Sequence, residues 1–144
     1  MSDQSIQSDV LDAVVAALGG DTGHTYRCRF TPFAADELPA DNVLPEDETA
    51  NYGVTTGEVE LVHRFMVRHI AQAANLVDKA VDLRYAAAQK LILADPTLGG
   101  LVRTTRYVGR KWEMEKGEYD NVALVVTYEV EFSTSRRDPT VAGS

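Results

Sequence analysis

The 144 residues predict an α+β fold, with an about four-stranded, mainly antiparallel sheet carrying two main helices on one face. Three observations predict it. Two segments repeat apolar residues at helical spacing, at 5–18 and 75–93. Four segments alternate apolar and polar residues, as half-buried strands do. The string Asp95-Pro96-Thr97-Leu98-Gly99-Gly100-Leu101-Val102 joins the longer helix to the last two strands.

The length suits one domain with a single core, and no apolar run approaches the roughly 20 residues that cross a bilayer. Residues 1–132 are expected to form that domain and 133–144 a flexible tail. The first residues have no basic start followed by an apolar stretch, so no secretory signal is expected and folding in a cytoplasm is. Cys28 is the one cysteine, which excludes an internal disulfide and a multi-cysteine metal site. A formal net charge of -8 opposes nucleic-acid binding through the whole surface, because phosphate contacts need a basic face.

The first helix places Ile6, Val10, Ala13, Val14, Ala17 and Leu18 on one stripe, and Gly19 and Gly20 supply a left-handed stop. Residues 24–31 read as a strand in which Tyr26, Cys28 and Phe30 share a face. Cys28 reads as a small buried hydrophobe, since no base partner accompanies it.

Residues 31–52 read as a long acidic loop after this first strand. They hold Pro32, Pro39 and Pro45, and the acids Asp36, Glu37, Asp41, Glu46, Asp47 and Glu48. Long irregular loops inside compact domains tend to be functional or disordered, so this one is expected to dock on a partner, with Leu38, Pro39, Val43 and Leu44 as apolar anchors, or to remain mobile.

A long strand follows from Val54, with Val59, Leu61, Phe65 and Val67 on one face and Glu58, Glu60, Arg64 and Arg68 on the other. His63 and His69 fall on the apolar side and read as core or interface histidines. In the second helix Asn75 is the expected N-cap and Asp78 sits where an acid favours the dipole. Its main stripe is Leu76, Ala80, Leu83, Ala87 and Leu91, widened by Val77, Val81, Ala88 and Ile92. So broad a face suits a sheet and a neighbouring subunit together.

Pro96 ends this helix, and the residues from Asp95 to Leu98 suit a type I turn. Residues 101–114 and 122–132 then read as a hairpin around Lys116-Gly117-Glu118. Arg103, Arg106, Arg110 and Lys111 form a basic patch, expected to meet the acidic loop of another copy. No phosphate-binding glycine loop, nucleophile elbow or metal motif occurs, so no catalytic, cofactor-binding or metal residue is assigned and no cofactor is expected.

The order helix, strand, Leu38-Pro39-Ala40 loop, strand, helix, Asp95-to-Val102 string and hairpin resembles the tail terminator proteins of long-tailed bacteriophages, also called tail completion or minor tail proteins. The resemblance spans about the whole chain, and the Asp-Pro-Thr-Leu-Gly-Gly string is its most specific part. It implies a non-enzymatic virion protein, assembled in the host cytoplasm, whose copies close into a ring, commonly a hexamer. Such a ring sits on the head-proximal end of the tail tube, stops polymerisation and offers a joining surface to the head's neck. The implied partners are further copies, the tail tube protein and the head-neck connector protein. DNA passes through the bore without specific binding, and no membrane is involved. Another ring-forming head-tail connector or tube component is the nearest alternative, and a small enzyme or ligand-binding α+β domain the more distant one.

Overall fold

The computed structural model describes residues 4–19, 24–52, 57–115, 120–135 and 137–142. It is an α+β fold with two helices and a five-stranded mixed sheet of order β1-β2-β3-β5-β4. The elements are α1 (Ile6–Gly19), β1 (Thr25–Arg27), β2 (Ala40–Asn51), β3 (Glu58–Gln72), α2 (Val77–Ala94), β4 (Thr104–Glu115) and β5 (Asn121–Ser135). β1 runs parallel to β2, and every other pairing is antiparallel. Gly20, Val54, the Lys116-Gly117-Glu118 turn, Arg136 and Gly143 lie outside the described residues.

α1 forms where its periodicity predicts it. Ser5 Oγ accepts from Ser8 N at 3.2 Å, satisfying one of the first-turn donors, and Ile6, Val10, Leu11, Val14 and Leu18 are buried. In β3 the predicted alternation holds along the strand, with Leu61, Phe65 and Val67 inward and Glu60, Arg64 and Arg68 outward. β5 lies between β3 and β4 and buries Leu124, Val126, Tyr128, Val130 and Phe132. These residues join both helices in one core, so α1 and α2 cover the same face of the sheet. Phe65 and Tyr128 stack there with ring centroids 5.4 Å apart.

Three expectations are corrected. The first strand is only three residues long, because His24 and Cys28 take positive φ (42° and 50°) and break the extended backbone on either side. The acidic segment is not an irregular loop: after a single 3-10 turn at Ala35–Glu37 its second half is the full strand β2. Pro45, which has no N–H to give, stands at the start of a β-bulge that ends at Glu48, and the strand beyond it is exposed. Asn75 does not cap α2: the helix starts after Leu76, in the left-handed region at φ 61°, with no side-chain cap.

The Asp95 turn closes on itself. Asp95 Oδ1 accepts from Thr97 Oγ1 (2.7 Å) and Thr97 N (3.2 Å), and Oδ2 accepts from Gly99 N (2.8 Å), bonds that hold its carboxyl below the usual range. Leu98, Gly99 and Gly100 all have positive φ, which a glycine adopts freely and Leu98 accepts while burying its side chain. Thr105 Oγ1 then donates to Pro96 O at 2.8 Å and ties β4 to the turn. At the other end β5 continues to Ser135, past the expected domain limit at 132, and Pro139 O accepts from Ile6 N at 3.0 Å.

Candidate functional site

Register decides which predicted site residues meet. On β2 the side chains alternate between the helix-covered face and the opposite one, so Val43, facing Val67, points into the core. Val43 is fully buried and is not an anchor for a partner, and Asp41, counted among the acids of a solvated loop, is fully buried as well. Leu44, facing Met66, is half-buried on the opposite face. Asp36, Glu46, Asp47 and Glu48 are exposed. Glu37 takes two bonds from the Arg29 guanidinium (2.5 and 2.8 Å) and one from Ala34 N, which together hold its carboxyl at about 2.

The basic patch is engaged within its own chain. Arg103 makes a bidentate pair with Glu60 on β3 (2.6 and 2.7 Å), and Arg106 reaches both Glu129 and Glu131 on β5. Arg110 pairs with Asp82 of α2 at 2.8 Å and lies over the Tyr85 ring, while Lys111 approaches Glu113. With Arg64 on Glu129 and Arg68 on Glu113, the face away from the helices carries a ladder of alternating charge. Burial raises the Glu129 carboxyl, but the guanidinium groups of Arg106 and Arg64 outweigh it and leave the pKa lowered. On the same face Val125 is buried, opposite Arg68 on one side and Lys111 on the other in the register of the sheet.

The helix-covered side holds a polar cluster that sequence reasoning missed. Asp41 Oδ1 lies 2.6 Å from His69 Nδ1 and accepts from Arg84 Nε at 2.8 Å. The sequence shows His69 as an inward residue but hides its partner, because Asp41 falls in a segment with no strand pattern. His63 is also buried, with Glu48 at 4.0 Å, and desolvation keeps its ring pKa below the ordinary value against the opposing pull of Glu48 and Asp47. Beside Arg84 opens a hollow of about 350 Å³, walled by Leu38, Pro39 and Ala35 on one side and by Val77, Ala80 and Val81 of α2 on the other.

Apolar surface remains on the outside. α2 turns Val81, Ala88 and Ile92 inward, so the widening residues of the predicted stripe are the core ones, while Leu76 (72% exposed) and Leu83 (64%) face out. The edge strand β4 exposes Val108, Trp112 and Met114, with Val108 at a second β-bulge. Phe30, in the loop after β1, stands 85% exposed. Among the described residues no group of three or more His, Cys, Asp or Glu is arranged to hold a metal, and no helix is long and apolar enough to cross a membrane.

Fold and surface together define an α+β protein with apolar side chains uncovered on a helix, an edge strand and a loop. No family model and no curated protein matches the sequence. Among solved structures, a chain from the virion of a native gene transfer agent particle aligns with 88% of this chain and 95% of its own length, at 18% identity and a TM-score of 0.43.

Proposed function

We propose that this chain is a structural protein of a long-tailed phage-type particle, a tail terminator whose copies close into a ring at the head-proximal end of the tail tube. The observation that carries the reading is apolar surface left uncovered, above all Trp112 and Met114, two residues apart on the edge strand β4, with Phe30, Leu76 and Leu83 elsewhere. Contiguous apolar surface marks contact with other proteins. The positions lie on different elements, which suits a head-to-tail contact, where two unlike patches meet and the rotation closes the circle. The resemblance of the Asp95-to-Val102 string and its flanking elements to tail terminators supplies the particular role.

Copies then join mainly through apolar contacts. Arg103, Arg106, Arg110 and Lys111 add register rather than affinity, since each already has an acidic neighbour in its own chain and exposed pairs are worth only about 0–1 kcal/mol. The tube protein and the neck connector take the two ends of the ring, and DNA passes through the bore.

Electron microscopy of particles made with and without this chain tests the role. Loss of the chain is expected to give tails of uncontrolled length that do not join heads, and the purified protein is expected to appear as closed rings. Tails of normal length and normally joined heads in its absence refute the reading.

A further inference from the structure

The loop after β1 holds one exposed aromatic side chain, Phe30, on a rigid mount. Arg29 N donates to Asn42 Oδ1 at 3.0 Å and Asn42 Nδ2 returns a bond to Arg29 O at 2.9 Å, with Asn42 itself buried. The Arg29 guanidinium lies over the rings of Tyr26 and Phe33, pairs with Glu37, and donates to Thr31 Oγ1 (3.0 Å) and Pro32 O (3.0 Å). The chain on both sides of Phe30 is therefore tied to a single planar group. An aromatic ring gains more from burial than almost any other side chain, and a slack loop would let it fold down. This mount keeps it in water.

The chain also offers a place for such a ring. The hollow beside Arg84 has a volume of about 350 Å³ and walls of Leu38, Pro39, Val77, Ala80 and Val81. That is near the small end of the roughly 300–1,000 Å³ that small-molecule pockets span, with room for one aromatic side chain. Leu76 and Leu83 continue the apolar surface along α2.

Phe30 does not fill the hollow of its own copy: its ring is 85% exposed and lies outside the lining, although Ala35 and Leu38 of one wall flank Glu37, the residue that holds Arg29. Charge does not oppose the approach of ring and hollow from two copies, because Arg29 is matched by Glu37 and Arg84 by Asp41.

We propose that Phe30 of one copy inserts into the Leu38–Val77–Ala80 hollow of the next, and that this knob seats the subunits of the assembly. The proposal rests on the reading that copies of this chain associate, and it names the contact. The contact is apolar and internally neutral, so raising the salt concentration leaves it intact.

Sedimentation velocity across a concentration series tests it, on the wild type, Phe30→Ser, Ala80→Trp and the double variant, with circular dichroism to check each fold. Phe30→Ser removes the knob and Ala80→Trp fills the hollow from an exposed lining position. Each is expected to raise the association midpoint by roughly ten- to a hundredfold at both low and high salt. In the double variant the second change adds little, because the interaction is already lost. If the wild type associates and either single variant keeps its midpoint, the insertion is wrong while the association stands. A wild type that stays monomeric throughout the series overturns both.

Discussion

Asp41 Oδ1 on β2 and His69 Nδ1 on β3 lie 2.6 Å apart with both side chains wholly buried, and Arg84 of α2 closes on the same oxygen. The cluster links two strands and a helix, and removing Asp41 takes from the wholly buried His69 the carboxyl it faces. Asp41→Ala is therefore expected to cost about 3–5 kcal/mol in urea unfolding, against a far smaller loss for a surface aspartate such as Asp47. A loss no larger than that of the Asp47 control contradicts the role assigned to Asp41.

Stability should also fall on mild acidification, and His63 is the group to examine. Its folded pKa lies below the ordinary 6.5 because burial disfavours the charged ring, so below that pH the unfolded chain takes up a proton that the folded one resists. The contribution is complete above 6.5 and declines as the pH drops beneath it. His63→Gln is expected to flatten the stability-pH curve below 6.5, where the ordinary ring takes up its proton. Identical slopes for variant and wild type over that window exclude His63 as the source.

The two apolar stripes of α2 separate in the laboratory. Ile92 is fully buried and Leu83 largely exposed. Ile92→Ala should cost about 2–5 kcal/mol, while Leu83→Ser should leave monomer stability within about 0.5 kcal/mol. Comparable losses at the two positions, measured by denaturant titration, mean that the helix faces are misassigned.

Binding to duplex DNA is expected to be weaker than roughly 10⁻⁴ M at physiological salt, the weak end of ordinary non-specific affinity. The net charge is -8, and Arg64, Arg103, Arg106 and Arg110 are each matched by a carboxylate. A salt-sensitive gel shift at micromolar protein contradicts this.

Much of the architecture is legible in the sequence. α1, β3, α2 and β5 fall where apolar periodicity puts them, because each packs one face against a single core, and β4 falls beside β5 at the edge of the sheet. β2 was not legible, for a physical reason. Its inward positions include Asp41, a buried polar residue bonded through Oδ1 to His69 and Arg84 from distant parts of the chain, and its outer half beyond Pro45 is exposed. A strand that buries a charge and ends in solvent shows no alternation to read. α2 failed differently: Leu76, Leu83 and Ala87 lie beside Val81, Ala88 and Ile92 on the helix, and spacing alone ranks neither stripe. The Arg103-to-Lys111 patch was found, but the carboxylates that match it lie on three other elements and on β4 itself, which only register reveals.

The strand order carries a consequence for how the chain reaches this state. β2 with β3 and β4 with β5 join neighbours in sequence, whereas the β3–β5 ladder pairs Glu58 with Ser135 across the whole of α2 and β4. Loop-closure entropy delays such distant pairings, so the centre of the sheet is the last seam to zip. Trimming Val67 or Val126, which face each other across that seam, should hasten unfolding while leaving the refolding rate nearly unchanged. Stopped-flow chevrons in which the refolding limb slows instead would put the seam in the nucleus.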